Sequence, residues 1–131
     1  MEPMPPVASA SIAARWTGRI MTTLPVMMLL FSSVMKFIPS PQLNEGFKHL
    51  ELPIGFAPAL GILELSCTLI YLIPRTEVLG AILLTGYMGG AILTHLRVGD
   101  AFYLHIIFGV FIWGGLWLRD PRLRALIPLK S

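Results

Sequence analysis

Four long apolar runs, separated by short polar stretches, organise the chain. Ile20 to Ile38 holds 19 residues, with Lys36 near its end. Leu52 to Ile73 holds 22, with Glu64 near its middle. Val78 to Leu96 holds 19 and closes on His95, and Ala101 to Leu118 holds 18, with His105 near its start. At about 1.5 Å of rise per residue, each run as a helix spans roughly 30 Å of hydrocarbon. Lipid offers no partner to an open backbone, so helices are the expected form. The pattern predicts an all-α transmembrane four-helix bundle with short loops. Pro25 lies inside the first predicted helix and is expected to bend it, and Pro58 lies near the start of the second, where proline is tolerated.

The first run is longer than a usual signal-peptide core, and no small-x-small cleavage site follows it, so it reads as a retained span. The segment before it is rich in Pro, Ala and Ser. Residues 1–19 are therefore expected to be a flexible cytoplasmic tail, and residues 20–131 one transmembrane domain. Between the second and third runs, Pro74-Arg75-Thr76-Glu77 leaves room only for a tight antiparallel hairpin. The longest connection is Pro39 to Glu51. Within it, Gln42 to Leu50 reads either as a short interfacial helix, with Leu43, Phe47 and Leu50 on one face, or as an irregular loop.

Composition agrees with the pattern. The chain of 131 residues is 55% hydrophobic and 13% charged, whereas a soluble domain carries about 25% charge. The basic residues cluster at segment ends, which reflects membrane orientation rather than nucleic-acid binding. With both termini cytoplasmic, the inner side holds Arg15, Arg19, Arg75, Arg119, Arg122, Arg124 and Lys130. The outer side then holds Lys36, Lys48 and Arg97, so seven of the ten basic residues favour N-in, C-in. The sole cysteine, Cys67, excludes an internal disulfide or a CxxC pair.

Small residues indicate packing. Gly86, Gly90 and Thr94 recur at every fourth position of the third predicted helix, the spacing that lets membrane helices approach closely. Gly86 and Gly90 are expected to face another helix of the same chain; a homodimer would use the same motif. Trp16, Trp113, Trp117 and Tyr103 fall at positions suited to interfacial anchoring.

The candidate chemistry is polar and intramembrane. Glu64 shares a helix face with Cys67, Thr68 and Tyr71 by i, i+3, i+4, i+7 spacing. Ser32 and Lys36 share a face of the first helix; Tyr87 and His95 share one of the third, with Thr94 beside them. Helix direction places Lys36, Glu64 and His95 in the outer half of the bilayer. An ionisable group at that depth needs a partner and marks a candidate site. Glu64 would be ionised and paired with Lys36, protonated and hydrogen-bonded, or a titrating group beside a ligand or proton path. A pair that serves only to fix helix register is the structural alternative. The candidate ligand-binding or buried polar site is thus Lys36, Glu64, Tyr87 and His95, with Ser32, Cys67, Thr68 and Thr94 secondary. His105 reads as merely opening the last helix. No local metal-ligand motif is present.

The stretch Gly61-Ile-Leu-Glu64-Leu, then Tyr71-Leu-Ile-Pro-Arg-Thr76, then Leu79-Gly80 through Gly86-Tyr-Met-Gly-Gly90 to Thr94-His95, resembles the DoxX-like family of small four-helix membrane proteins. The tail Trp113-Gly-Gly-Leu-Trp-Leu-Arg-Asp-Pro-Arg-Leu-Arg124 fits as well, and the resemblance runs from about Met21 to Pro128. It implies the fold, with Lys36, Glu64 and His95 at positions that look like the family's recurrent polar ones. Its namesakes are membrane subunits linked to thiosulfate:quinone oxidoreductase, and distant relatives act as chaperones or cargo receptors. The resemblance therefore implies a bacterial cytoplasmic membrane protein that is an accessory, assembly or lipophilic-ligand-binding subunit. A component of a quinone-linked oxidoreductase and a small oligomeric transporter are the alternatives. Quinone or lipid would be the bound molecule, and membrane lipid, a membrane-protein partner or a second copy the partner. The chain itself shows no catalytic, haem or flavin motif.

Overall fold

A computed structural model describes residues 11–130. They form helices joined by short turns, with no strand among the described residues. The first helix, α1, is Ile12–Met35, 24 residues long, and it starts before the hydropathic run does. Ser11 sets that start: its Oγ accepts from the Ala14 amide at 3.1 Å, a normal N-cap. The flexible tail expected over residues 1–19 is thus corrected from Ile12 onward, where the chain is helical; residues 1–10 lie outside the described residues. Arg15 and Arg19 lower the local hydropathy, but arginine is a good helix former.

The connection after α1 holds a second helix, α2, at Pro41–His49, capped by Ser40. Its apolar face turns inward, with Phe47 buried. A 3-10 turn at Ile54–Phe56 leads into α3, Ala57–Leu72. Another at Pro74–Thr76 makes the tight hairpin into α4, Glu77–Arg97. Gly99 ends α4 in the left-handed region at φ 77°, a conformation glycine adopts without steric cost. Helix α5 is Tyr103–Arg119, and the short α6, Pro121–Arg124, folds back with Asp120 as its cap.

Helix α1 packs against α3 and α5, and α4 packs against the same two. The four long helices therefore stand at the corners of a square, with α1 and α4 on a diagonal. Ile12–Met35, Ile54–Leu72 and Pro74–Arg97 are long and apolar enough to cross a membrane; Tyr103–Arg119 is apolar and 17 residues long. Val26, Leu29, Tyr71, Leu84, Ile112 and Leu116 fill the centre. Large apolar side chains also cover the outside, including Phe31 at 69% exposed and Leu93 at 67%. A surface this apolar belongs against lipid.

The two ends of the bundle differ. At the end with the α3–α4 turn, backbones touch. A Cβ on Gly80 would lie 2.3 Å from Tyr71 Cα, and one on Gly115 would lie 2.4 Å from Thr22 Oγ1 and 2.8 Å from the Gly18 carbonyl. A polar network reinforces this end. Arg119 pairs with Glu77 at 3.3 Å and donates to Thr22 Oγ1 at 3.2 Å, and the Tyr71 hydroxyl donates to the Ile112 carbonyl at 2.7 Å. The Arg124 guanidinium closes the carbonyls of Trp117 and Leu118, and Leu123 is buried beneath it. The Trp113 indole N–H donates to Thr85 Oγ1 at 2.7 Å, so this tryptophan also links α5 to α4.

The opposite end is looser and capped by α2. His49 pairs with Asp100 at 2.8 Å, and Arg97 donates to the Leu50 carbonyl, tying α2 to the α4–α5 turn. On this half of α4 the expectation for Gly86 and Gly90 is corrected. A Cβ on either would meet nothing within 4 Å, so neither packs against a helix. The spacing identifies a small face, and that face lines open space instead of a helix.

This geometry ranks the glycines by cost. Gly80→Ala and Gly115→Ala press a methyl into backbone or a held hydroxyl, and each should lose stability of about 1–3 kcal/mol or more, the range for overpacking. Gly90→Leu should leave the melting temperature nearly unchanged. Thermal unfolding of the three variants in one detergent checks the order, and a Gly90→Leu protein less stable than Gly115→Ala would contradict the assignment.

Candidate functional site

Glu64 reaches the interior because α3 turns its Gly61, Glu64, Thr68, Tyr71 stripe inward, and it is 1% exposed. Gly61 makes this possible: an added Cβ would touch Lys36 Cβ and the Phe37 ring at 3.0–3.1 Å, so α3 lies close to the end of α1. That approach brings Lys36 Nζ to 2.6 Å from Glu64 Oε2. The ammonium also donates to Ser32 Oγ at 2.8 Å, one turn back on α1. From α4, the Tyr87 hydroxyl donates to the same Oε2 at 3.0 Å, and Ser32 Oγ lies 3.4 Å from it. Three donors on one oxygen suit an ionised carboxylate, which only accepts. The geometry is thus that of a direct ion pair, closed by two hydroxyls from different helices.

Around this group is a cavity of about 650 Å³. Pockets of about 300–1,000 Å³ take small organic ligands. Its walls are mainly Leu, Met and Phe side chains, with Lys36, Glu64, Tyr87, His95 and His105 as the ionisable or phenolic ones besides Cys67. Phe47 and Leu50 of the α2 segment cover the cap end. Phe56 and Leu63 line the cavity from the α3 side, and Leu83, Gly86 and Gly90 from α4; all five are also exposed on the outer surface. The cavity therefore opens sideways through the α3–α4 seam, where lipid chains would lie. Gly86 and Gly90 form part of that opening instead of a helix contact.

The other expected site residues divide. Thr68 Oγ1 donates to the Glu64 backbone carbonyl at 2.7 Å, and Thr94 Oγ1 to the Gly90 carbonyl at 2.8 Å. Both hydroxyls are spent within their own helices, and neither reaches the carboxylate. Cys67 is buried on the cavity wall. Tyr71 lies at the turn end, bonded to Thr22 and Ile112. His95 does not bond Glu64: its Nδ1 donates to the Ala91 carbonyl at 2.7 Å, and its ring sits 4.5 Å from that of His105. Sequence reasoning passed over His105. Its spacing to Phe108, Ile112 and Leu116, the inward stripe of α5, was the available signal. Among the described residues, no group of three or more His, Cys, Asp or Glu could hold a metal ion.

A helical bundle with an apolar exterior and a charged pair in its interior is an integral membrane protein. The DoxX-like family model matches residues 20–118, and the chain belongs to that family. No curated protein and no solved structure matches it.

Because Glu64 is buried and Lys36 is largely covered, removing one strands the other. Glu64→Ala should cost about 3–5 kcal/mol, the range for breaking one side of a buried pair. Replacing both, as Lys36→Met with Glu64→Leu, should recover most of the loss. Tyr87→Phe, which removes one hydrogen bond to a charged group, should cost about 1.5–3 kcal/mol. Denaturation of the purified protein in detergent measures all three, and a Glu64→Ala protein as stable as the parent would mean the pair is not formed.

Proposed function

We propose that this protein is a binding subunit for a lipophilic molecule, held in the cavity beside Lys36 and Glu64, and that it acts as an accessory or assembly component of the membrane. The observation that carries this reading is the cavity itself. It has apolar walls, a few convergent polar groups and a lateral opening toward hydrocarbon, the usual form of a lipophilic-ligand site. In this reading the ion pair and the Tyr87 hydroxyl hold α1, α3 and α4 around the cavity.

A second reading, a membrane component of a quinone-linked oxidoreductase, draws support from Tyr87, His95 and His105 on the same wall. Their O–H and N–H groups are the type that bonds a quinone carbonyl. In that case a partner protein would carry the redox centre. A transport path fits less well, because the Gly18–Gly115 contact and the Arg119, Glu77, Thr22, Tyr71 cluster fill the turn end.

Orientation belongs to the same proposal. Lys36 is engaged inside the bundle, and Lys48 and Arg97 are the other Lys and Arg residues on the cap side. The basic bias toward the turn end favours both termini in the cytoplasm of a bacterial cell, with the cap facing out. The apolar exterior and lateral opening suit a partner membrane protein or a second copy beside the bundle.

Two measurements check these statements. Protein extracted into lipid nanodiscs should retain a copurified lipophilic molecule on mass spectrometry, and a Gly86→Leu, Gly90→Leu double variant, filling the opening, should lose it while keeping its melting temperature. Equal retention by both proteins would remove the cavity from the function. With Cys67 replaced, a membrane-impermeant thiol reagent on intact cells should label a cysteine at Asn44 and not one at Ser131; the reverse would invert the topology.

A further inference from the structure

The cavity holds two polar groups that the charged network does not use. His95 Nδ1 donates to the Ala91 carbonyl, and a carbonyl only accepts, so that nitrogen carries the proton. In the neutral ring Nε2 is then a lone-pair acceptor, and it has no partner among the described residues. Beside it, His105 Nδ1 is buried without any hydrogen-bond partner. The two rings lie 4.5 Å apart, tilted by 46°, and both line the cavity. Lys36, Ser32 and Tyr87, by contrast, converge on Glu64 Oε2 and on one another. An arriving polar group therefore finds unfilled hydrogen-bonding capacity at the histidines.

Resting on the reading of the cavity as a lipophilic-ligand site, we propose that His95 and His105 together recognise a neutral hydroxyl on an apolar body, with a lipophilic phenol as the class that fits. The lone pair on His95 needs a donor, and an O–H supplies one. The same oxygen keeps lone pairs for an N–H of His105, so one hydroxyl satisfies both rings. An anionic head fits less well. It would share the cavity with the Glu64 carboxylate, while Lys36, the sole ammonium or guanidinium on the described wall, is already committed at 2.6 Å. The lateral opening at Gly86 and Gly90 admits the apolar body from the bilayer, and Phe108 beside the histidines offers its ring to an aromatic head.

The test compares nonylphenol, its methyl ether and decanoate as probes on the full-length protein in nanodiscs. The ether keeps shape and apolar area but cannot donate. The parent protein should bind the phenol about three- to tenfold more tightly than the ether, the worth of one net hydrogen bond. In His95→Phe, which removes the acceptor, that ratio should fall to near one. Nitrogen-15 resonances of the His95 ring in the parent protein should shift with the phenol and stay in place with the ether, a readout that needs no variant to fold. Equal binding of phenol and ether would overturn the histidine assignment and leave the cavity reading standing. A preference that survives in His95→Phe, or tighter binding of decanoate than of the phenol, would overturn it too. If no probe binds, the assignment falls together with the cavity reading.

Discussion

A carboxylate inside a protein that is itself surrounded by hydrocarbon must bring its own solvation. For Glu64 this comes from three donors on two other helices: Lys36 and Ser32 of α1, and Tyr87 of α4. Each donor has only one place to stand. The ammonium must reach past the close contact at Gly61, and the hydroxyl of Tyr87 must cross from α4 above the hairpin turn. The pair therefore fixes the rotation of three helices about their axes. An apolar contact could not do this, since one leucine surface against another, or against lipid, is nearly interchangeable. Such a pair adds little net stability over an apolar replacement, but its register is unambiguous.

The contrast between the two ends follows from that constraint. The α3–α4 hairpin is clamped at its turn by Gly80 against Tyr71, while Arg119 and Thr22 draw α5 and α1 to the same level. Toward the cap, α1 and α3 stay close at Gly61, and the Tyr87 side chain reaches across from α4 to Glu64. The cavity lies beside that crossing. Glycines then have opposite meanings along one helix. Gly80 allows a contact, whereas Gly86 and Gly90 preserve an opening.

How much of this was legible in the sequence depended on the signal each feature leaves. The apolar runs located α3, α4 and α5 well, because lipid demands long uninterrupted hydrophobic segments. The start of α1 was hidden: its first turns carry Arg15 and Arg19, and only the Ser11 cap announces them. Glu64 stood out as a lone carboxylate in an apolar run, and Lys36 and Tyr87 followed from helix direction and face. His105 was missed since its place on the inward stripe of α5 means little until His95 is seen beside it. The glycine reading failed for a related reason. Periodicity reports which face is small, and only the tilt of the neighbouring helix decides whether that face meets a backbone or a void. The Arg119, Glu77, Thr22, Tyr71 cluster was likewise beyond sequence, because four elements contribute one member each.

The membrane also changes what such a void costs. In a soluble protein an apolar cavity loses dispersion contacts that nothing restores, and the surrounding side chains tend to collapse into it. A cavity open to the bilayer is filled by whatever chain lies alongside, and lipid tails are as apolar as the leucines that line it. Occupancy by an apolar body is therefore nearly free and hardly selective. Discrimination has to come from the few polar atoms on the wall, where an unmatched group is expensive because no water can reach it. Of those atoms, Glu64 Oε2 and the three donors around it are engaged with one another. The histidine pair at the cap end lies outside that network, with His105 Nδ1 unpaired.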